Sequence, residues 1–438
     1  MRSLANEARA ARHMAVLDEA TVEFNQSGVA GASLTAIAQR VGLGRAALYN
    51  YCIDRQDLVY QCYSRTNALL REDLDRAAQA NANGLGKVVT FLRLALDSSN
   101  NQPRAVLTEL AFLTKTQQAV VQKLRSGNVE ALAMLIREGI KDESIRNCDV
   151  EIVCQAIFGI LSWATLSLLW ISSPDENFAS RMANAIPDLI TDGMASEGME
   201  VLPSRKRIRD VIQNPRGSDW DDRRELLALI ASRLFNSRGI DGVSLDDVAL
   251  ELSATKGVVY HYFQSKPALV TYCYERAFNI YEQIMSEAEK CSTGLECTVV
   301  AIELNVEAQL EDISPLWMST GAEMLPKQVQ KEIVRRAGAL WARSVKLAER
   351  GVKDGSLKRL DFEPVKQASA GSFNYLISSN DNGKRSVPDV AAEISRLLLL
   401  GLRPHKARPN GKQVSYDTPD SIDVVAPSTF LDVPFSAR

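Results

Sequence analysis

The stretch Ser33-Leu-Thr-Ala-Ile-Ala-Gln-Arg-Val-Gly-Leu-Gly-Arg-Ala-Ala-Leu-Tyr-Asn-Tyr-Cys52 decides how this 438-residue chain folds, and a second version of it follows. The second version is Ser244-Leu-Asp-Asp-Val-Ala-Leu-Glu-Leu-Ser-Ala-Thr-Lys-Gly-Val-Val-Tyr-His-Tyr-Phe263. Residues 20–63 align with residues 231–274 without a gap, and 14 of these 44 positions are identical. An internal repeat of this kind predicts two structurally similar units.

Each version predicts a short helix, a turn and a second short helix. Apolar residues recur at helical spacing in the first helix of each version, at Leu34, Ile37, Ala38 and Val41 and at Leu245, Val248, Ala249 and Leu252. Ser33 and Ser244 stand where N-caps belong. The second helix is expected from Arg45 to about Tyr51 and from Lys256 to about Tyr262.

That second helix buries little, and it carries a basic residue at its start and two tyrosines. A helix of this kind fits the major groove of DNA, where hydroxyls and cations also meet the flanking phosphates. The alternative is a helical hairpin whose tyrosines cap a small core. Because two copies keep the same polar positions, the sequence favours DNA binding.

Both versions resemble the N-terminal DNA-binding domain of TetR-family regulators. In the second version the resemblance lies in Lys256-Gly257, in Val259-Tyr-His-Tyr-Phe263 and in Ser265-Lys266. The first version departs from the family pattern at Ala46, Asn50, Cys52 and Asp54-Arg55. The resemblance covers roughly 50 residues in each copy and combines spacing with residue type.

The resemblance implies an all-α fold of two tandem TetR-like units. Each unit would hold an N-terminal helix-turn-helix domain of three helices and a C-terminal helical ligand and dimerisation domain. It implies operator DNA as a partner, a small hydrophobic effector, and repression as the commoner mode. Family members usually dimerise through their last two helices, which match residues 150–173 and 176–196 in the first unit and 361–379 and 386–402 in the second.

The resemblance also carries DNA contacts onto individual positions. The tyrosines and the basic residue that opens the following helix are assigned to phosphate. Other residues of the motif's second helix, and those at the start of its first helix, are assigned to the groove. The residues so assigned are Ser33, Thr35, Arg45, Ala46, Ala47, Tyr49, Asn50, Tyr51 and Arg55, and Ser244, Lys256, Gly257, Val258, Tyr260, His261, Tyr262 and Lys266. Asp246 faces the groove as well, where it would repel phosphate.

The repeat and the breaks in helical pattern predict the domain boundaries. The first unit is residues 1–198, with its DNA-binding domain at about 10–70, its motif at 33–52 and its C-terminal domain at 71–198. The second is residues 220–403, with the corresponding parts at about 221–281, 244–263 and 282–403. Repeat matches such as Gly139-Ile-Lys-Asp142 with Gly351-Val-Lys-Asp354 show that the duplication extends into the C-terminal domains.

Residues 199–219 have the composition of a linker, and residues 404–438 that of a disordered tail. Extended, the linker reaches at most roughly 70 Å, which permits many arrangements of the two units. They can pair within one chain, or like units can pair between chains as a homodimer. The linker's basic cluster, Arg205-Lys206-Arg207 with Arg209, is expected to be solvated more often than bound to DNA.

Residues 152–171 contain no charged residue and are long enough to cross a bilayer. Gln155, Ser162, Thr165 and Ser167 interrupt the apolar run, and its flanks are acidic. A buried interface helix is therefore the favoured interpretation, with no membrane partner. Seven scattered cysteines without metal spacing predict free thiols and a cytoplasmic protein. The formal charge of −3 means that DNA binding would need locally clustered basic residues.

The sequence does not predict an enzyme, a cofactor or a metal site. Three histidines are scattered, and the nucleophile, Walker and dinucleotide motifs are lacking. Scattered carboxylates can still assemble in a fold, and a protein-interaction scaffold or ligand sensor with inactive DNA-binding units is a further alternative. The aromatic residues that could line an effector pocket, although each is more often core, are Phe112, Trp163, Trp170, Trp317, Trp341 and Phe373.

Overall fold

The computed structural model describes residues 2–97, 102–106, 110–167, 177–212, 219–317, 324–374 and 385–404. In the first half these residues form helices α1 (Arg2–Gly31), α2 (Leu34–Arg40), α3 (Arg45–Leu48), α4 (Arg55–Ala78), α5 (Gly84–Leu96), α6 (Lys115–Lys141), α7 (Val150–Leu166) and α8 (Phe178–Asp192). The predicted disordered tail lies outside the described residues from His405 onward.

A short helix α9 (Ile208–Val211) precedes the second half, whose helices follow in the same order as those of the first. They are α10 (Asp219–Arg238), α11 (Leu245–Glu251), α12 (Lys256–Tyr262), α13 (Lys266–Ala288), α14 (Gly294–Leu310), α15 (Lys327–Asp354), α16 (Phe362–Asn374) and α17 (Val387–Leu400). The predicted all-α fold is confirmed: across the described ranges the only β-type pairing is an isolated bridge between Ala195 and Leu357.

A glycine interrupts the first helix of the first half and follows the first helix of the second half. Gly28, inside α1, has φ 67°, and Gly239, just after α10, has φ 80°. Both conformations favour glycine. Ser33 Oγ then accepts from Ala36 N at 3.2 Å, and Ser244 forms a capping box with Asp247. The predicted N-caps are thus present in both halves.

The second helix of the first motif is shorter than predicted. We expected it to reach about Tyr51, but α3 ends at Leu48 and a turn follows. The backbone N–H groups of Asn50 and Tyr51 bond three residues back, at 3.2 and 2.9 Å. The carbonyls of the same two residues accept from side chains of other helices, Arg9 at 3.5 Å and Gln61 at 3.1 Å. These contacts tighten the chain after Leu48, whereas α12 extends to Tyr262.

Beyond the DNA-binding domains, one close helix crossing recurs in both halves. A Cβ placed on Gly84 would lie 2.1 Å from the backbone N of Gly139, and one on Gly294 would lie 2.1 Å from that of Gly351. Asp142 accepts from Gly84 N at 2.8 Å, and Asp354 accepts from Gly294 N at 2.7 Å. This crossing explains why the glycine and aspartate of the Gly-x-Lys-Asp segment recur in the two halves.

The last two helices of each half pack against those of the other, with α7 and α8 against α16 and α17. Backbone hydrogen bonds across this seam occur in equivalent pairs. Met194 N donates to Leu398 O at 3.1 Å, and Leu402 N donates to Ile190 O at 2.8 Å. The repetition gives the pairing an approximate two-fold symmetry.

Ion pairs across the same seam repeat this symmetry. Arg181 lies 2.6 Å from Asp361 and 2.9 Å from Glu363. In the equivalent place Arg385 lies 2.5 Å from Asp149 and 3.0 Å from Glu151. The pairing therefore joins matching surfaces of the two halves.

The apolar run at 152–171 is an interface helix over the part that is described. Ile152, Ile157 and Ile160 of α7 are buried, and α16 lies directly against α7. Among the described helices, none is sufficiently long and apolar to span a membrane.

The segment connecting the halves, which its composition predicts to be a linker, is packed against the second half. Ile208 is fully buried among apolar residues of α13 and α14. Ser204 N and Ile208 N donate to Glu303 and Glu307 of α14 at 2.7 and 2.8 Å. We call residues 201–212 the docked segment.

The basic cluster of the docked segment faces acidic side chains of the second half. Lys206 lies 2.7 Å from Glu287, and Arg207 lies 3.3 Å from Glu307. Arg209 lies 2.5 Å from Glu311. These three residues are thus ion-paired, while their side chains stay 46–70% exposed to solvent.

Candidate nucleic-acid interface

The first motif presents the predicted polar residues on one surface. Tyr49 is 45% exposed, and Arg45, Ala46 and Asn50 are exposed as well. Ala47 and Tyr51 are half-buried, and Thr35 is exposed at the start of α2. Leu48, between them, is fully buried and holds α3 on the core. The short helix therefore displays its polar side to solvent.

The second motif repeats this arrangement. Tyr260 is 49% exposed, and Lys256, Gly257 and His261 are exposed, while Val258 and Tyr262 are half-buried. Val259 takes the buried place of Leu48. The rings of His261 and Tyr262 meet edge to face at 5.2 Å.

Arg55 opens α4 and Lys266 opens α13, and each is hydrogen-bonded to the end of the first helix of its half or to the loop after it. Arg55 donates to the carbonyls of Val29, at 2.9 Å, and Ala30. Lys266 Nζ donates to Asp241 O at 3.3 Å, and burial lowers the pKa of its ammonium group. In this conformation both cations orient α4 and α13 against the end of the first helix. Their contact with DNA phosphate remains a prediction.

An open groove of about 510 Å³ brings three predicted residues of the second motif together. Ser244, Tyr260 and Lys266 line it, together with Asp241 and Asp247. Hydrogen bonds to Ser244 hold the pKa of Asp247 below its usual range. The groove therefore combines a cation and hydroxyl groups with carboxylates, which makes it a mixed rather than a purely basic surface.

The two motifs differ at the basic residue of the second helix. Lys256 Nζ lies 2.5 Å from Asp246 Oδ2, and this hydrogen bond raises the pKa of Lys256. Thr35 occupies the place of Asp246 in the first motif. Among the described residues, no carboxylate forms an ion pair with Arg45.

Three residues beside the first motif were not predicted from the sequence. Arg9 of α1 reaches Asn50 O, and His13 Nε2 lies 2.7 Å from Gln61 Oε1. The rings of His13 and Tyr51 are 5.8 Å apart. Each contact joins residues about 40 positions apart, so no local pattern in the sequence indicates it.

The described aromatic residues considered as pocket lining lie in a hydrophobic core or pack against one. Trp163 and Trp317 are buried, whereas Phe112, Trp341 and Phe373 are half-buried, and Trp170 lies outside the described residues. Trp317 Nε1 donates to Gln309 Oε1 at 2.8 Å, and Gln309 Nε2 donates to Tyr281 Oη at 3.1 Å. This buried chain of polar groups joins α13, α14 and the loop that follows α14.

The cysteines and acidic residues do not form a metal site within the described part of the chain. The cysteines are free, and burial raises the pKa of Cys62 and Cys273 to about 12. Each of these two thiols donates to a backbone carbonyl of its first helix, Leu17 O at 3.8 Å and Ala228 O at 3.5 Å. Their role is to pack α4 and α13 against α1 and α10.

Comparison with known proteins agrees with this geometry. Residues 230–273 match the model described as "Bacterial regulatory proteins, tetR family", which covers the second motif. Residues 79–166 match "Tetracyclin repressor-like, C-terminal domain", which covers α5 to α7.

The chain thus matches TetR-family models in both of its halves. It is therefore a transcriptional regulator with a helix-turn-helix DNA-binding domain, in a family of regulators rather than enzymes. The uncharacterized HTH-type transcriptional regulator YhgD of Bacillus subtilis (strain 168) is 22% identical over 144 residues, which are 32% of this chain and 75% of YhgD.

Solved structures of TetR-type proteins also resemble part of the chain. The TetR family transcriptional regulator PfmR from Thermus thermophilus is 23% identical, with a TM-score of 0.33, and the match covers 40% of this chain and 96% of PfmR. AibR, solved in complex with isovaleryl coenzyme A and operator DNA, is 19% identical, with a TM-score of 0.35, and the match covers 41% of this chain and 98% of AibR.

Proposed function

We propose that the chain consists of two tandem TetR-like units that bind one operator together, with both DNA-binding domains supplied by a single molecule. The observation that carries this proposal is the symmetric pairing of α7 and α8 with α16 and α17. The family's dimerisation surfaces, as the resemblance assigns them, are the surfaces occupied by this pairing. A homodimer of chains would have to use other surfaces or break these contacts.

The two recognition helices differ in sequence, so the two halves of the operator should differ as well. The first motif has the sequence Gly44-Arg-Ala-Ala-Leu-Tyr-Asn50, and the second has Thr255-Lys-Gly-Val-Val-Tyr-His261 at the equivalent positions. TetR-type half-sites read by a pair of such helices lie about one turn of DNA apart, roughly 34–36 Å. We therefore propose an operator of two unlike half-sites.

We further propose repression that is relieved by a small hydrophobic effector bound in a C-terminal domain. The side-chain hydrogen bonds that link Tyr281, Gln309 and Trp317 support a connection between such a ligand and DNA binding in the second unit. Trp317 N also donates to Asn236 Oδ1 of α10 at 2.9 Å. A ligand that separates α13 from α14 would disturb these hydrogen bonds and hence the position of α10.

Selection of DNA from a random library, followed by footprinting and light scattering, tests the proposal. We expect one chain on a non-palindromic site, with protection by both motifs. Replacing Tyr49 or Tyr260 by Phe should each weaken binding, because each removes a hydroxyl directed at phosphate. Two chains on a palindrome, with only one motif protecting bases, would contradict the single-molecule arrangement.

Transcription in vitro from a promoter that carries the selected site tests the mode of regulation. Repression predicts fewer transcripts as the protein is added, with recovery when hydrophobic extracts of the host cell are included. An increase in transcripts would show an activator. Failure to enrich any DNA sequence would instead support the scaffold or sensor alternative.

A further inference from the structure

The two DNA-binding surfaces carry opposite formal charges over stretches of equal length. Residues 33–55 hold three cations, Arg40, Arg45 and Arg55, against one acid, Asp54, which gives a formal charge of +2. Arg40 among them pairs with Glu23 of α1 at 2.7 Å. Residues 244–266 hold two cations, Lys256 and Lys266, against Asp246, Asp247 and Glu251, which gives −1. Affinity for the DNA backbone depends on such local charge, so the two surfaces are not equivalent.

The acidic residues of the second surface do different things. Asp247 caps α11 by accepting from Ser244 N at 2.7 Å. Asp246 has no part in the cap: its Oδ2 atom meets Lys256, and its Oδ1 atom is occluded without a hydrogen-bond partner. Asp246 can therefore be replaced without removing the cap.

The pair with Lys256 adds little stability, because both side chains are open to solvent, at 70% and 45% exposure. Its consequence is electrostatic. The pair places the Asp246 carboxylate beside Lys256, the one cation of α12. A DNA phosphate bound at Lys256 would lie within the screening length of about 8–10 Å and would be repelled by this carboxylate. In the first motif Thr35 leaves Arg45 without such a neighbour.

From these observations we propose that Asp246 attenuates the affinity of the second motif for the DNA backbone. The first motif then supplies most of the sequence-independent attraction, and the second engages firmly only where its base contacts are correct. This division makes Asp246 a determinant of specificity rather than of affinity. The inference rests on the proposed function, since it assumes that both motifs meet DNA.

Reciprocal substitutions test the inference. Asp246→Thr gives the second motif the residue of the first, and Thr35→Asp gives the first the residue of the second. Glu349→Gln, on an exposed position of α15, removes one negative charge from a C-terminal domain and serves as the matched control. The probes are a duplex of about four turns of DNA, enriched from a random library by the wild-type chain, and a scrambled duplex of the same composition.

We expect Asp246→Thr to bind both duplexes several-fold more tightly, with the larger gain on the scrambled one. The slope of log affinity against log salt should steepen by roughly 0.9, as for one added phosphate contact. Thr35→Asp should shift both quantities the other way, and Glu349→Gln should leave them unchanged. If Asp246→Thr lowers the urea midpoint of unfolding, Asp246→Asn serves as a second variant. It keeps the side-chain shape and should give the same change in affinity and salt slope.

Weaker binding by Asp246→Thr and Asp246→Asn, with lost discrimination at one base pair, would overturn the inference, because Asp246 would then be positioning Lys256 for a base. Unchanged affinity and salt slope would overturn it as well. A wild-type chain that enriches no duplex would contradict the proposed function itself, a result distinct from either of these.

Discussion

Gly371 of α16 lies directly against Trp163 of α7, where the two halves of the chain meet. A Cβ atom on Gly371 would be 2.6 Å from the Cβ atom of Trp163 and 2.7 Å from the carbonyl oxygen of Gly159. Two helices can approach this closely only where a side chain is missing. The position of α16 on α7 therefore depends on this one glycine.

Gly371→Ala should destabilise the chain by about 1–3 kcal/mol, because the added methyl group meets backbone that cannot yield without moving α7. Urea unfolding gives the free energy of unfolding. Gly338→Ala, inside α15 with no atom within 4 Å of the new methyl group, is the matched control. It should stabilise the chain by roughly 0.5–1 kcal/mol through helix propensity. Equal effects of the two substitutions would contradict the close packing.

Stability should fall as the pH rises from about 4.5 to about 7, through Glu303. Burial raises the pKa of Glu303 to about 7, and the nearby Glu307 also raises it. The folded chain then binds more protons at this carboxylate than the unfolded chain between the two pKa values, and linkage requires that stability decrease with pH across that window.

Glu303→Gln should remove this part of the pH dependence and raise the urea midpoint above neutral pH relative to the wild type. The amide oxygen can still accept from Ser204 N, so the docked segment keeps its contact. Unfolding at several pH values on both sides of neutrality measures the effect. Glu251→Gln, on the exposed end of α11, is the control, and an identical pH profile for both variants would refute the assignment.

Trp317→Phe should destabilise the chain by about 1–3 kcal/mol, because the buried Gln309 oxygen loses its indole donor. Trp163→Phe provides a comparison within the same chain. The Trp163 indole N–H is buried without a hydrogen-bond partner, so its removal leaves no acceptor unsatisfied. Unfolding free energies should show the larger loss for Trp317→Phe. The opposite order would mean that the Trp317–Gln309 bond contributes nothing.

Arg45→Ala should relax sequence preference at one position of one half-site, at a cost of about 1–3 kcal/mol for the correct base, as for an arginine paired with guanine. Lys256→Ala should act on the other half-site. Binding to a set of single-base operator variants separates the two. A uniform loss across all variants after Arg45→Ala would show that Arg45 holds a phosphate instead.

Local patterns in the sequence predicted the helices well because their causes are local. The capping serines act within three or four residues, and both of the N-caps they predict are observed. The repeat also showed that Gly139 and Gly351 match, but the helix that lies against each of them was seen only in the structure. What could not be predicted depends on contacts between distant residues.

The docked segment is an example of that limit. Its prolines and basic cluster have the composition of a linker, but composition carries no information about the acidic face of α14 about a hundred residues later. The Asp246–Lys256 pair is another, since both residues are visible in the sequence but their contact depends on the turn between α11 and α12. The shortening of α3 depends in the same way on Arg9 and Gln61.

The docked segment also gives the two halves of the duplication different surroundings. It packs with Cys297, Val300 and Leu304 on α14, whereas the corresponding places on α5 are Lys87, Thr90 and Leu94. In a symmetric homodimer every substitution appears on both sides of the axis at once. Joined in one chain, the two copies can be selected separately, so that one can lose contact with a base or a ligand while the other keeps it.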